Sequence, residues 1–423
     1  MPASQRRNAV TPRHARRRRH RAWPALLKGV AAVLSVVLVS GVSVATVTAA
    51  QFASNLDTVD LASGQGAPLP QIGEFDGGFN ILLVGSDSRE GREEEFGYTG
   101  SELNDVNILV HVANDHSSAV VVSIPRDLVV PVPACPDPDG EGELSPMRAQ
   151  PINSTLGHGG LACTVLTVEE LTGLSIPYAG LITFDGVAMM SSAVGGVDVC
   201  IDAPIYDRYT GLDLPTAGNH TLVGYQALAF LRSRHGVGDG SDLGRISSQQ
   251  VYMSSLVRTL KSSDTLTNPG KLYNIAKTAT ESMTLSTSLA NLDTMVSMAN
   301  VLRKLDLEKV VFVQYPGTTG LGGVYEGKVA PIKSQADALM AKLQNDELFA
   351  LEGKTGVGST LAPGSEPTAT AEPAETAAPA PEGEGAGTAT PAPTESASPT
   401  PEPEVLEGVL GQTAAQQTCS RAN

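Results

Sequence analysis

Three arginines, two aspartates and four glycines are concentrated in one short segment of this 423-residue chain, FLRSRHGVGDGSDLGRISSQQ, Phe230 to Gln250. Arginine suits phosphate groups because its planar guanidinium donates two parallel hydrogen bonds and keeps its charge at any relevant pH. Arg232, Arg234 and Arg245 are therefore candidates for binding a polyanion. The alternative is three solvated arginines that flank a loop.

The segment must fold back on itself if its arginines are to meet one ligand. Arg232 and Arg234 lie near the end of a predicted helix, and residues two apart point to different sides, so the helix has to end between them. The glycines of HGVGDGSD permit such an ending, and Asp242 is expected to cap the helix that follows. Arg245 and Gln249 are four residues apart and share one face of that second helix.

Two aspartates stand at the ends of neighbouring predicted strands. The strand FNILLVG, Phe79 to Gly85, is followed by Asp87 and Arg89, and the next strand begins at Asp105. Ligands commonly bind at the carboxyl ends of strands in open α/β sheets. Two carboxylates there suit a hard cation such as Mg²⁺, which takes oxygen ligands and often completes its shell with phosphates. The alternative is that both aspartates are turn formers or caps.

The motif SIPRD adds a fourth arginine at the end of another strand. Pro125 fixes its own φ angle and weakens ladder pairing, so the chain leaves the sheet there and presents Arg126 to a crevice. The alternative is a surface ion pair between Arg126 and Asp127, which would contribute little to stability.

Strand-like and helical patterns alternate between residues 77 and 350. Short β-branched runs predict strands in FNILLVG, DVNILVHV, AVVVSIP, YAGLITF and GVDVCI. Helical spacing is found in TVLTVEELTGL, GYQALAFLRSR and RISSQQVYMSSLVRTLK, and again in IAKTATESM, ANLDTMVSMANVLRKL and QADALMAKLQ. This alternation predicts one α/β domain with helices packed on both faces of a sheet.

The N-terminal 28 residues carry eight arginines and Lys28 but no acidic residue. The uncharged stretch 29–50 is long enough to cross a bilayer as a helix. Basic residues before such a span stay in the cytoplasm, so we expect a single-pass anchor in the cell membrane, a linker over 51–76 and an extracytoplasmic domain over 77–350. A cleaved signal peptide is the alternative, because small residues lie near the end of the span.

The charge of the rest of the chain excludes one class of partner. The N-terminal 28 residues contribute nine positive charges, so with −16 overall the remaining residues carry −25. A protein whose bulk is this acidic does not have the basic surface of a nucleic-acid binder.

Four cysteines, Cys135, Cys163, Cys200 and Cys419, all follow the predicted membrane span. An even number outside the cytoplasm favours disulfides, although buried free thiols are the alternative. Four cysteines allow three pairings, and the sequence alone does not choose among them. We expect Cys135 to pair with Cys163 because both flank one loop, which leaves Cys200 for Cys419 unless the tail cysteine stays free.

The C-terminal part of the chain changes composition twice. Residues 351–404 are rich in Pro, Ala, Thr and Glu, so they are expected to be disordered because they bury too little apolar surface to offset their ordering entropy. Residues 405–423 regain apolar side chains and a cysteine, which predicts that they dock back on the domain.

In this order, the motifs NILLVGSDSR, SIPRD, INSTLGHGG, AVGGVDV, GYQALAFLRSR and DLGRISSQQ resemble the LytR-CpsA-Psr family, particularly its actinobacterial members. The resemblance is strong over about residues 77 to 265 and continues weakly to about 350. It implies a three-layer α/β/α sandwich with an N-terminal membrane anchor. It also implies an enzyme of cell-wall assembly that moves a sugar phosphate from a polyprenyl pyrophosphate carrier to a muramic acid hydroxyl of peptidoglycan.

The resemblance assigns roles to the candidate residues. It implies that Asp87 and Asp105 hold Mg²⁺, and that Asp242 orients the arginines or accepts a proton. It implies that the pyrophosphate is bound by Arg126, Arg232, Arg234, Arg245 and Gln249.

Two positions depart from the family pattern. Leu103 and Ser248 stand where the family often has arginine, so one phosphate contact is either missing or supplied by Arg89.

Three functions of different class follow from these observations. The first is the glycopolymer phosphotransferase. The second is a phosphohydrolase that uses water as the acceptor at the same site. The third is a non-catalytic wall-binding or regulatory protein, for which the short Arg-rich cytoplasmic tail offers no domain.

Overall fold

A mixed eight-stranded β-sheet is the centre of the computed structural model, which describes residues 57–62, 75–88, 102–140, 142–262, 268–365 and 403–423. In sheet order the strands are β1 (Asp57–Val59), β14 (Met283–Ser286), β9 (Tyr178–Ile182), β2 (Phe79–Ser86), β3 (Asn104–Val112), β4 (Ala119–Ile124), β15 (Val310–Gln314) and β21 (Gly411–Thr413). β1 lies in the stretch that was interpreted as a linker. The predicted anchor, residues 29–50, lies outside the described residues.

The strand directions place the ends of several strands, and the loops that follow them, at one edge of the sheet. β2 is antiparallel to β3, and β3 is antiparallel to β4. β9 runs parallel to β2, with Leu83 opposite Gly180. The carboxyl ends of β2, β4 and β9 therefore meet at the edge where β3 begins, and we refer to this as the site edge.

Seven α-helices are described. They are α1 (Thr155–Thr172), α2 (Phe184–Val194), α3 (Tyr225–Arg232), α4 (Asp242–Lys261), α5 (Pro269–Ser282), α6 (Leu292–Lys304) and α7 (Lys333–Gln344). α1 is kinked at Gly159 and Gly160, whose backbone angles are not helical. Every stretch with predicted helical spacing forms a helix, whereas α2 was not predicted.

Two hydrophobic cores lie against the two faces of the sheet. One face packs Leu82 and Val122 against Val165 of α1 and Leu339 of α7. The other packs Phe312 against the Met298 side of α6, with α4 contributing partly buried side chains. Burial of these side chains is the main driving force that holds the helices on the sheet.

A second sheet of four strands includes two from the C-terminal part of the chain, one at residues 359–361 and one at residues 418–420. Its order is β13 (Gly218–Leu222), β10 (Val197–Ile201), β22 (Thr418–Ser420) and β19 (Ser359–Leu361). β19 lies in the segment that was expected to be disordered, so the described body of the protein continues to residue 365. β21 and β22 show that residues 405–423 do pack on the domain.

The remaining short strands form local pairs. These are β5 (Val129–Val132) with β8 (Met147–Pro151), β6 (Cys135–Pro136) with β7 (Glu143–Leu144), β11 (Ile205–Asp207) with β12 (Leu212–Leu214), β16 (Gly317–Thr318) with β17 (Ala330–Pro331), and β18 (Phe349–Leu351) with β20 (Glu404–Leu406).

Two disulfides cross-link distant parts of the domain. Cys135 is bonded to Cys163, 28 residues along the chain, and Cys200 is bonded to Cys419, 219 residues along. Both pairings are those expected. None of the helices in the described ranges is both long and apolar enough to span a bilayer.

Candidate functional site

The ends of β2 and β3 place two carboxylates at the site edge. Asp87 directly follows β2, and its backbone N–H donates to the Leu103 carbonyl at 3.0 Å. Its carboxylate Oδ1 in turn accepts from the Leu103 N–H at 2.8 Å. Asp105 is the second residue of β3. Leu103, where the family often has arginine, therefore holds Asp87 through its backbone alone.

Arg126 reaches Asp105 from the neighbouring strand. β4 ends one residue before Pro125, as the SIPRD motif predicted, and a turn follows in which the Leu128 N–H donates to the Pro125 carbonyl at 3.0 Å. The Arg126 guanidinium forms an ion pair with the Asp105 carboxylate. Burial alone would lower the pKa of Arg126, but the carboxylates of Asp105, Asp127 and Asp242 together outweigh it and the pKa is raised.

Helix α3 ends between the two arginines of the RSR motif. Ser233 is its C-cap and has an extended backbone, so the helix ends between Arg232 and Arg234, as predicted, although their side chains reach different partners. The Arg232 guanidinium lies over the Phe184 ring, 4.2 Å from its centroid. Arg234 instead points to Asp242, with its Nη2 3.1 Å from Oδ1.

Ser241, and not Asp242, caps helix α4. The Ser241 hydroxyl oxygen accepts from the Gly244 N–H at 3.1 Å, and Asp242 is the first residue of the helix. The prediction that Asp242 is the cap was wrong. The reason is that its carboxylate is drawn to Arg234 and Arg245, because a buried charge is stabilised by opposite charges.

Arg245 links the start of α4 to the start of β3 through Asp242 and Asp105. Its Nη2 lies 2.6 Å from Asp242 Oδ1, and it also donates to the Asp105 carbonyl at 3.0 Å. Its side chain is only 5% exposed. Burial lowers the pKa of Arg245 and the Asp242 carboxylate opposes this, but an arginine side chain remains charged in proteins.

Gln249 lies one turn after Arg245 and fixes the contact between two helices. Its amide Nε2 donates to the Leu231 carbonyl at 2.8 Å, near the end of α3. Gln249 also lines the same cavity as Arg232 and Arg245. Arg89 lies outside the described residues.

Three buried polar atoms of this cluster have no hydrogen-bond partner. They are Oδ2 of Asp242, Nε of Arg126 and Nε of Arg245. Nε of Arg126 is 3.7 Å from the Asp127 carboxylate, too far for a hydrogen bond. Buried polar groups are normally paired, so two free donors and one free acceptor indicate a place where a polar ligand completes the bonding.

An apolar cavity of about 270 Å³ opens beside the arginines. It lies between the sheet and helices α2, α3 and α4, and its charged lining residues are Asp105, Arg232 and Arg245. The apolar lining includes Leu83, Val187, Met190, Val194, Leu231 and Leu256. The site thus joins a cationic surface to a pocket suited to a hydrocarbon chain.

Asp207 and Phe184 contribute to the site but were missed in the sequence. Asp207 is buried in the β11–β12 hairpin and accepts from the Ser233 hydroxyl at 2.8 Å and the Arg234 N–H at 3.2 Å. Burial opposes its ionisation, yet these bonds lower the pKa of Asp207. Neither residue lies in a motif that suggests a role, because each acts through a contact between distant parts of the chain.

Asp87 and Asp105 fit a cation that needs few protein ligands. In the described ranges, no three His, Cys, Asp or Glu side chains lie close enough together to hold a metal. Mg²⁺ is usually bound through one or two carboxylates, with water and substrate phosphates completing its shell. Two carboxylates from adjacent strands beside a cluster of arginines satisfy that requirement.

Known proteins resemble this chain in sequence and fold. "Cell wall biosynthesis protein LcpA" of Corynebacterium glutamicum is 32% identical over 310 residues, which cover 66% of this chain and 58% of that protein. The Bacillus subtilis polyisoprenyl-teichoic acid–peptidoglycan teichoic acid transferase TagT is 27% identical over 342 residues, covering 79% of this chain and 97% of that one.

The fold is shared with solved structures. The crystal structure of B. subtilis TagV matches with a TM-score of 0.51 and 22% sequence identity, over 64% of this chain and 97% of that one. The model of the LytR_cpsA_psr family matches residues 41–345, well over half of the sequence. This chain therefore belongs to the LytR-CpsA-Psr family.

Proposed function

We propose that the protein transfers a glycopolymer phosphate from a polyprenyl pyrophosphate carrier to a hydroxyl of peptidoglycan. The observation that carries this proposal is the apolar cavity whose charged lining consists of Asp105, Arg232 and Arg245. A lipid pyrophosphate has the same two parts, a hydrocarbon chain and a polyanion. The similarity to TagT, whose name describes a transfer from a polyisoprenyl carrier to peptidoglycan, supports the same reaction class.

The arginines supply the electrostatic part of catalysis. Phosphoryl transfer depends mainly on positioning and on stabilising the charge that spreads over the phosphate oxygens. Arg126 and Arg245 each have a buried Nε that lacks a partner, and both can donate to pyrophosphate oxygens. Arg234 is held beside them through Asp242. Arg232 lies at the cavity, where it meets the phosphate nearer the lipid.

The reaction breaks one phosphorus–oxygen bond and forms another. The acceptor hydroxyl oxygen attacks the phosphorus that bears the sugar, and the bond from that phosphorus to the bridging oxygen breaks. Polyprenyl monophosphate leaves, and its new charge is held by the arginines. Asp242 Oδ2, which is buried without a partner, accepts the hydroxyl proton.

Magnesium binding by Asp87 and Asp105 is part of the proposal. When bound, Mg²⁺ would neutralise the charge of the pyrophosphate and help to hold it in place. The residues of this chain still perform the other tasks: the arginines orient the phosphates, and the cavity excludes water from the lipid side.

The proposed location is the outer side of the cell membrane. Residues 29–50 would form the single-pass anchor, with the basic N-terminus in the cytoplasm. The two disulfides support an oxidising compartment, since such bonds are rare in the cytosol.

The test is a transfer assay with the full chain in detergent or nanodiscs. A polyprenyl-pyrophosphate-linked oligosaccharide and a peptidoglycan fragment are supplied with Mg²⁺, and the products are identified by mass. We expect the fragment to gain the oligosaccharide phosphate while polyprenyl monophosphate is released. Release of free oligosaccharide phosphate with no adduct would identify a phosphohydrolase instead.

Matched variants separate the site from the fold. Arg234→Ala should abolish the adduct with an unchanged circular dichroism spectrum, because Arg234 is partly exposed and lies outside the cores. Arg303→Ala, at the exposed end of α6, should retain full transfer. Full activity of Arg234→Ala would refute the site assignment.

A further inference from the structure

The last six residues, 418–423, run along the loop that separates Arg234 from Asp242. We call these residues the C-terminal strap and residues 235–240 the phosphate-site loop. The Gly238 N–H donates to the Arg421 carbonyl at 2.8 Å, and the Asn423 N–H donates to the Gly236 carbonyl at 3.2 Å. The Asn423 side-chain amide also donates to the His235 carbonyl at 3.1 Å. The strap thus forms hydrogen bonds to His235, Gly236 and Gly238 of the loop.

The strap is itself firmly anchored on the second sheet. β22 lies between β10 and β19, and Cys419 is bonded to Cys200 of β10. The Ala422 N–H donates to the Asp202 carboxylate at 2.8 Å. These bonds make the strap a fixed support, whereas an unattached chain end would fray.

The strap also packs against α4 at Ser248, which does not line the cavity. The Ser420 hydroxyl lies 2.6 Å from the Ser248 hydroxyl, and both residues are almost fully buried. Ser248 stands where the family often has arginine. In this chain the space beside that position is filled by the strap, so a long side chain there would collide with it.

The phosphate-site loop needs such a support. Gly238 and Gly240 have φ of +58° and +77°, in the left-handed region that glycine enters readily. A loop so rich in glycine has many conformations when it is not held. Yet its two ends carry Arg234 and Asp242, which must meet at 3.1 Å to form the phosphate-binding cluster.

We propose that the C-terminal strap is a positioning element of the phosphate site. It holds the phosphate-site loop in the one conformation that brings Arg234 to Asp242 and Arg245. This inference rests on the proposed function, since the ligand of the cluster is taken to be pyrophosphate. Residues beyond the Pro/Ala/Thr/Glu-rich segment, which lie outside the 41–345 match to the family, therefore control phosphate binding.

The decisive experiment is a double-mutant cycle on the full chain. Residues 421–423 are removed by a stop after Ser420, which keeps Cys419 and its disulfide, and the deletion is made with and without Arg234→Ala. Binding of inorganic pyrophosphate in the presence of Mg²⁺ is measured by calorimetry. We expect the deletion to weaken binding roughly tenfold in the wild-type background, the effect of losing one well-placed charged hydrogen bond. It should have almost no further effect when Arg234 is already absent.

Every outcome bears on the proposal. Unchanged binding after the deletion overturns it, and so does an equal loss in both backgrounds, because then the strap acts on the fold in general and not through Arg234. If the deletion unfolds the domain, Asn423→Ala takes its place, because it removes only the bond to the His235 carbonyl. Unchanged binding in this variant with a folded spectrum would equally refute the proposal.

A control and an independent readout complete the design. Gln417→Ala, an exposed side chain just before the strap, should leave binding unchanged. In the transfer assay the deletion should raise KM for the lipid substrate more than it lowers kcat, because the arginine is mispositioned but still present. Absence of pyrophosphate binding by the unaltered full chain would refute the proposed function itself, which differs from failure of the strap alone.

Discussion

Asp242 and Arg245, one helical turn apart at the start of α4, form an ion pair of 2.6 Å in which both side chains are less than a tenth exposed. The same carboxylate oxygen receives Arg234, while the second oxygen has no partner. Asp242 therefore holds two arginines in place through Oδ1, and its Oδ2 remains able to accept a proton or a hydrogen bond. Most of the expected behaviour of the site follows from this arrangement.

Asp242→Ala should cost both activity and stability. Removal of one partner leaves Arg245 buried without its counter-charge, and such losses are about 3 to 5 kcal/mol in the free energy of unfolding. Urea unfolding measures this loss. The double variant Asp242→Ala/Arg245→Met should recover part of the stability but none of the transfer activity. Asp239→Ala, in the exposed part of the same loop, should cost about 1 kcal/mol or less; a comparable loss there would contradict the special role of the buried pair.

Magnesium dependence is expected to require both strand-end carboxylates. Asp87→Asn combined with Asp105→Asn should abolish the stimulation of transfer by Mg²⁺, because a hard cation needs charged oxygen ligands. The ratio of rates with and without Mg²⁺ is the measurement. Glu102→Gln changes an exposed carboxylate that accepts from the Ser86 hydroxyl, and it should keep the stimulation. Undiminished stimulation in the Asp87/Asp105 variant would show that the cation binds elsewhere.

Local patterns were sufficient to predict how the main elements lie around the site. The strands that precede Asp87 and Arg126, and the helix end between Arg232 and Arg234, follow from β-branched runs, a proline and a glycine-rich stretch. Each of these signals acts within a few residues of the position that it predicts. That is why the structure agrees with them.

Features that depend on distant contacts, or on competition between side chains for one partner, could not be predicted in this way. Asp207 supports Arg234 from a hairpin in which its sequence neighbours give no hint of that role. Asp242 had the sequence of a helix cap, but two arginines compete for its carboxylate and Ser241 takes the position. The strand β19 arises because residues 359–361 pair with β22, near the far end of the chain. Tertiary contacts decided the first and the third, whereas Asp242 was decided by charges within eight residues of it.

Stability should depend on pH through His111, which lies far from the site on β3. Burial lowers the pKa of His111 below its usual 6.5, although the Asp346 carboxylate, 3.1 Å from Nε2, acts in the opposite direction. The unfolded chain therefore binds a proton more readily than the folded one. The stability that His111 contributes is complete above pH 6.5 and is lost as the pH falls through its lowered pKa.

Urea unfolding between pH 7.5 and pH 5 tests this dependence. The free energy of unfolding should decrease with a slope of at most about 1.4 kcal/mol per pH unit from this residue. His111→Gln retains a side chain that can bond to Asn80 or Asp346 but does not titrate, so its slope should be shallower. Identical slopes for the two proteins would mean that His111 does not titrate differently on unfolding.

A bulky side chain that fills the apolar cavity should affect binding of the lipid chain without affecting the arginine cluster. Val187→Trp, on the face of α2 that lines the cavity, should raise KM for a long polyprenyl substrate by about tenfold or more, since a bulky ring takes the volume that the lipid would occupy. Binding of inorganic pyrophosphate should not change, because the arginine cluster is left intact. Met189→Trp places the same ring on the exposed side of the same helix, where Met189 is 47% exposed, and should leave both quantities unaltered. Equal KM values for the two tryptophan variants would mean that the lipid chain binds elsewhere on the protein.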